Sequence, residues 1–290
     1  MFRGSLTALI TPFRGGAVDT RALGDLVEAQ IAGGTNGLVP CGSTGESATL
    51  THEEHVEVVK HVVRVARGRV PVIAGTGSNS TAEAIRLTRG AEEAGADGAL
   101  LISPYYNRPT QDGIYRHYAA VAEATKLPVI VYNIPGRTAS NIAPETIGRL
   151  ARIPNVVGVK EATGSLAQVI ETIAAAGPDF AVYAGDDILT LPIIAAGGKG
   201  AISVAGNVMP REFADLCTAL LAGDLERGRT AMYHLLPLIR AMGLEVNPIP
   251  VKTALVMMGR CADEFRLPLT QATAATRAAL EPVLRGYGLV

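Results

Sequence analysis

The chain has 290 residues, 48% of them apolar and 18% charged, with 26 Lys and Arg against 27 Asp and Glu. Such a length and apolar content exclude a disordered chain and allow one large core, while interspersed charges and a net charge of −1 exclude the basic stripe of a nucleic-acid binder. Three widely separated cysteines, Cys41, Cys217 and Cys261, fit neither a disulfide framework nor zinc-ligand spacing, and they suit a reducing compartment.

The N-terminal "MFRGSLTALITPF" has one early Arg and a short apolar run broken by threonines and a proline, too weak for a signal peptide or membrane span. A cytoplasmic location with no membrane contact is expected. Runs rich in Val, Ile, Leu and Ala then recur: "LTALI" (6–10), "GLVPC" (37–41), "VPVIAG" (70–75), "GALLIS" (98–103), "LPVIVYN" (127–133), "VVGVK" (156–160), "FAVYAG" (180–185) and "GAISVAG" (200–206). Continuous apolar runs predict strands buried on both faces, as in a parallel sheet covered by helices. Between them lie stretches of helical period, such as 54–66, 82–94 and 165–177. Their starts, Thr51 to Glu54, Ser80 to Glu83 and Ser165 to Gln168, fit the capping box.

Eight strand–helix units fit a closed (β/α)8 TIM barrel, an α/β fold, better than a doubly wound sheet with a nucleotide fingerprint. Helical patterns near 225–243, 249–260 and 270–286 follow without another strand. The expected organisation is a catalytic barrel over 1–223 and a C-terminal helical extension over 224–290. Chemistry in a barrel gathers at the C-terminal ends of its strands, so those ends are where to look.

Lys160 ends the sixth run. Alternation sets it on the face of Val156 and Gly158, opposite Val159 and Glu161, which points the amine into the barrel mouth. Desolvation there favours the neutral, nucleophilic amine that Schiff-base chemistry requires; the alternative is a lysine reaching solvent or paired with a carboxylate. The fifth run ends in "VYNIPGRT", with Tyr132 able to shuttle a proton and Arg137 able to fork a carboxylate, although either could be structural. With Lys160 they suggest a keto-acid site. Tyr105 and Tyr106 follow the fourth run, and adjacent side chains in extended backbone diverge toward different sites or an interface.

Other motifs carry less. "GTGSNS" (75–80) only approximates a dinucleotide fingerprint, and "GGKG" (197–200) precedes a strand on the far side of the barrel from the chemistry. "HEEH" (52–55) spaces its histidines by three rather than the four of a zinc motif, so no metal is expected. "CGSTGES" (41–47) lacks the glycine pattern of a nucleophile elbow, which leaves Ser43 a hydrogen-bonding or proton-relay role.

Together "GSTGES", "PYYNRP", "YNIPGRT", "GVKEATG" and "NPIPVK" (247–252) resemble the dihydrodipicolinate synthase (4-hydroxy-tetrahydrodipicolinate synthase) family, among the pyruvate-dependent Schiff-base aldolases and lyases. The likeness covers essentially the whole chain. It implies that Lys160 forms the imine with pyruvate, that L-aspartate 4-semialdehyde is the second substrate, and that protons pass through Tyr132, Ser43 and Tyr106 of a neighbouring subunit. It further implies that Arg137 anchors the aldehyde's carboxylate, and that Thr44, Gly185 and Ile202 surround the pyruvate carboxylate and the Schiff base.

By the same resemblance, Ser47, Ala48, His52, His55, Asn79, Glu83 and Tyr105 line a regulatory pocket for L-lysine. A homotetramer needing neither organic cofactor nor catalytic metal is implied. The chain departs from many relatives at Ser43, where they carry Thr; serine keeps the hydroxyl but loses the methyl that restricts χ1. Two alternatives are a lyase acting on a longer 2-keto acid, such as sialic acid or a 2-keto-3-deoxy sugar acid, and a non-catalytic ligand-binding barrel.

Overall fold

The computed structural model describes residues 2–290. All eight apolar runs form parallel strands: β1 (Gly4–Ala8), β2 (Gly37–Val39), β3 (Ile73–Gly75), β4 (Gly98–Ile102), β5 (Val129–Asn133), β6 (Val156–Glu161), β7 (Ala181–Ala184) and β8 (Gly200–Ser203). β1 pairs with both β2 and β8, and the remaining edges, β2 and β3, meet through a parallel bridge between Leu38 and Val72, which closes the barrel. A two-residue antiparallel hairpin, Phe13–Arg14 with Ala17–Val18, follows β1.

Eight helices alternate with the strands: α1 (Thr20–Ala32), α2 (His52–Ala66), α3 (Thr81–Glu93), α4 (Gln111–Glu123), α5 (Pro144–Leu150), α6 (Leu166–Ala176), α7 (Thr190–Ala195) and α8 (Pro210–Leu221). Only Thr51 makes the full capping box: its hydroxyl accepts from Glu54 N at 3.1 Å while the Glu54 carboxylate accepts from Thr51 N at 3.0 Å. Ser80 and Ser165 cap their helices, but Glu83 and Gln168 turn elsewhere, Glu83 to Ser78 and His52 and Gln168 to Asn141 and Ile142. Their tertiary partners win over the local bond back to the cap.

After Gly223, at φ +80°, come α9 (Leu225–Ala241), α10 (Ile249–Met257) and α11 (Ala274–Gly286). Phe213 and Leu216 of α8, Leu235 and Leu238 of α9, Val251 of α10 and Leu280 of α11 belong to one hydrophobic cluster with the outer faces of the strands. The tail therefore packs as part of the barrel's outer layer. Among the described residues no helix is long and apolar enough to cross a membrane.

Inside the barrel a separate cluster of Leu6, Ala8, Val39, Ile73, Leu100, Ile130, Tyr132, Tyr183 and Ile202 fills the interior, as the two-residue alternation requires. Alternation breaks at one place: the β5–β6 register shifts after Val129, which pairs with Val156, so that Ile130 pairs with Gly158. The sequence reading put Val156 on the face of Lys160; instead Val156 packs in the outer cluster and Val157 leans on the inner one. From Gly158 onward alternation resumes, and Lys160 pairs with Tyr132 on one side and Tyr183 on the other.

Gly158 is small because its neighbour leaves no room: a Cβ there would stand 2.5 Å from the Ala181 carbonyl oxygen. Overpacking at such a position costs on the order of 1–3 kcal/mol. Gly158→Ala is expected to lower the urea midpoint by that amount of stability; an unchanged midpoint would show that the β6–β7 contact yields freely.

Candidate active site

The ends of β1, β2, β4, β5, β6 and β7 converge on a cavity of about 250 Å³ that α9 and the segment after it roof with Ile239, Met242, Gly243 and Asn247. Lys160 reaches it from β6. It is 4% exposed, and its Nζ lies 4.3 Å from the centroid of the Tyr132 ring. Burial brings the ammonium's pKa down to about 8, with the Arg137 charge acting in the same direction and the Asp187 and Asp186 carboxylates opposing it. About a tenth of the amine is therefore neutral and nucleophilic at pH 7, far more than for an exposed lysine.

Tyr132, at the end of β5, is buried beside that amine, and burial raises its phenol above the usual range, so it stays protonated and ready to donate. Arg137 sits in the one-turn helix Pro135–Thr138. Its guanidinium donates to the Asn247 carbonyl at 2.8 Å, which holds an exposed cation at the rim. Ser43, Thr44 and Gly185 line the same cavity. Gly185 is tight: a Cβ there would lie 2.9 Å from the Glu161 carbonyl oxygen and 3.1 Å from Lys160 Cγ. Ile202 lies in the barrel interior, outside the cavity lining.

Tyr106 behaves differently. With φ +73° and a side chain 89% exposed, it lines neither this cavity nor its neighbour. A relay through it requires a second subunit's Tyr106 to approach.

A second, larger cavity of about 500 Å³ adjoins the first and shares Gly42, Ser43, Leu100, Tyr132, Arg137 and Asn247 with it. Ser47, Ala48, His52, His55, Glu83 and Tyr105 line it. Glu83 accepts from the Ser78 hydroxyl and pairs with His52 Nε2 at 2.7 Å, and these two bonds hold its carboxyl below the usual range. His55 Nε2 meets the Gly75 carbonyl at 2.7 Å, and burial keeps its ring neutral by lowering its pKa. Asn79 is not brought to the lining; its carbonyl accepts from Asn107 Nδ2 at 2.9 Å.

Three residues at or behind the site escaped the sequence reading. Asp187, 7% exposed, takes N–H bonds from Ala205 at 2.7 Å and Val204 at 3.1 Å, yet burial still raises its carboxyl to about 6. Asn247 donates through Nδ2 to Thr44 Oγ1 at 3.0 Å. Lys252 is wholly buried and donates to Glu46 Oε1 at 2.6 Å. Only the quoted "NPIPVK" hinted at the last two, and it named no partner for either.

A model of the family described as dihydrodipicolinate synthetase matches residues 1–286. Curated relatives named 4-hydroxy-tetrahydrodipicolinate synthase from Trichlorobacter lovleyi and Geobacter sulfurreducens are each 54% identical over 290 residues, covering all of both chains. Among solved structures, the chloride-inhibited dihydrodipicolinate synthase of Acinetobacter baumannii complexed with pyruvate is 45% identical, with a TM-score of 0.98 over 100% of both chains. The synthase of Cyanidioschyzon merolae with lysine bound is 40% identical, with a TM-score of 0.96 over 100% of this chain and 99% of that one. A monomeric dihydrodipicolinate synthase variant is 42% identical, with a TM-score of 0.98 over 100% and 98%.

The neutral amine is the form that reacts with electrophiles, so labelling of Lys160 should rise with pH as the ammonium gives up its proton. Trace acetylation by acetic anhydride, mapped by mass spectrometry, is expected to be half-maximal near pH 8 at this residue. A rate that keeps climbing well past that pH would mean the amine is not desolvated.

Proposed function

This chain belongs to the dihydrodipicolinate synthetase family, and from that membership we propose that it condenses pyruvate with L-aspartate 4-semialdehyde to give 4-hydroxy-tetrahydrodipicolinate, in the route to diaminopimelate and lysine. The observation that carries the reading is the desolvated Lys160 amine over the Tyr132 ring in a cavity rimmed by Arg137 and Thr44. Neutral Lys160 Nζ adds to the keto carbon of pyruvate, and loss of water leaves an iminium. That cation draws electrons from the methyl group, whose deprotonation gives an enamine. The enamine carbon adds to the aldehyde carbon, whose oxygen takes up a proton. The amino group of the second substrate then attacks the iminium carbon and displaces Lys160, which closes the ring and frees the enzyme.

Placement supports several of these roles. Tyr132, protonated and buried with its ring beside the amine, is the proton donor, and Ser43 continues the relay toward Tyr106 supplied by a neighbouring subunit. General acid–base assistance of this kind contributes about 10²–10⁴ in rate. Thr44 and Gly185, which line the cavity, receive the pyruvate part, and Arg137 receives the carboxylate of the second substrate through a charge-assisted fork. We read the assembly as a homotetramer in the cytoplasm, in which the exposed Tyr106 completes the partner's site.

The second cavity is read as the L-lysine site. Glu83 offers a carboxylate to the ligand's ammonium, and the lysine-bound relative supports this ligand. Because Ser43, Tyr132 and Arg137 border both cavities, an occupant there acts on the relay and on the carboxylate anchor at short range.

An assay coupled to reduction of the product tests these roles. Turnover with pyruvate and L-aspartate 4-semialdehyde is expected, and Arg137→Ala should lower kcat/KM for the aldehyde by about tenfold or more while pyruvate still forms its imine. Retro-aldol cleavage of a longer 2-keto acid without aldehyde turnover would select the lyase reading instead. Adding L-lysine should slow the wild-type enzyme, and Glu83→Ala should remove that inhibition; an undiminished effect would place the inhibitor elsewhere.

A further inference from the structure

The loop bearing Ser43 and Thr44 is tied to the tail at two residues. One is Thr44, through its bond from Asn247. The other, Glu46, is deeper: Lys252, on α10, donates to its Oε1 at 2.6 Å, with both side chains at 0% exposure, and its Oε2 also accepts from Arg266 N at 3.4 Å. The Lys252 ammonium also lies 4.2 Å from the Phe13 ring centroid and 4.8 Å from that of Phe265. Neither Glu46 nor Lys252 lines the cavity around Lys160.

Glu46 holds an unusual backbone. Its φ is +53°, a left-handed conformation uncommon outside glycine and retained only where the surroundings enforce it. In that conformation its N–H donates to the Ser43 carbonyl at 3.3 Å, while Thr11 Oγ1 fixes the neighbouring Gly45 carbonyl at 2.7 Å. A buried ion pair seldom stabilises a fold more than apolar side chains of the same volume would. Its value here is geometric: a point charge on a rigid helix fixes the one residue whose backbone bonds directly to Ser43.

We propose that the Glu46–Lys252 pair is a positioning clamp for the condensation, which holds the Ser43 hydroxyl in line with Tyr132 although neither member touches substrate. The clamp rests on the function proposed above. It predicts a division of labour. The position of the imine equilibrium at Lys160 is set by the amine and pyruvate and is independent of the pair, whereas the rates of the proton transfers, dehydration of the first adduct included, depend on it. Glu46 also directly precedes Ser47 and Ala48 at the second cavity, so the same tie separates the loop's two functional ends.

The full-length enzyme tests this with Glu46→Gln, which keeps the shape and removes the acceptor charge, and with Glu46→Gln/Lys252→Met, which leaves no buried ammonium unpaired. In both, kcat is expected to fall about tenfold or more. The yield of borohydride-trapped pyruvate adduct on Lys160, read at saturating pyruvate once the imine has equilibrated, should stay at the wild-type value, and the solvent deuterium isotope effect on kcat should grow. Should the single variant fail to fold, the double variant decides. A folded double variant with wild-type kcat overturns the clamp, and so does a parallel loss of the equilibrated adduct yield, which would indicate general damage. Absence of a pyruvate adduct on the wild-type chain would instead remove the function on which the clamp rests.

Discussion

The dehydration of one amine organises this molecule. Lys160 is a cation by default, and a protein interior tolerates such a group only by pairing it or by making it give up its proton. Here no carboxylate bonds directly to the amine among the described hydrogen bonds and ion pairs; the Tyr132 ring lies beneath it, and the nearby carboxylate Asp187 is turned to the N–H groups of Val204 and Ala205. The outcome is an amine shifted toward neutrality and a phenol kept protonated within a few ångströms of it. A nucleophile and a proton donor thus arise from the same burial. Neither would exist on an exposed strand end.

Keeping that mouth dry and aimed is the work of segments distant in sequence. Met242, Gly243 and Asn247 roof the cavity from the tail, and the Asn247 carbonyl steadies Arg137. Lower down, Arg266 joins the tail to α2 through paired bonds to Glu54 at 2.6 Å and reaches the hairpin through Gly16 O at 2.8 Å. The Glu264 carboxylate completes this seam by accepting from Gly15 and Gly16 N–H groups. The helical tail is therefore a structural wall of the site, which explains why its apolar residues join the barrel's outer cluster.

Much of this was legible in the sequence because the constraints were local. Strands buried on both faces read as continuous apolar runs, and all eight lie where those runs lie. Lys160, Tyr132 and Arg137 stood out as polar groups at strand ends, and the fold brings them to one cavity. The opening of β6 was misread because a register shift leaves no mark on composition, so Val156 changed faces unseen. Glu46 and Lys252, 206 positions apart, looked like ordinary charged residues; only the fold shows that each is buried against the other. Asp187 escaped for a related reason, since its burial depends on backbone from β8's far end. Tyr106 is the reverse case: it stood out in the sequence, yet it is exposed and lines neither cavity.

The central claim is that Lys160 is the nucleophile. Sodium borohydride added in the presence of pyruvate, followed by peptide mass mapping, tests it directly. One reduced pyruvate adduct per chain, located on Lys160 and absent from Lys160→Ala, is the predicted result. An adduct on another lysine, or none at all under conditions where the product forms, would contradict it.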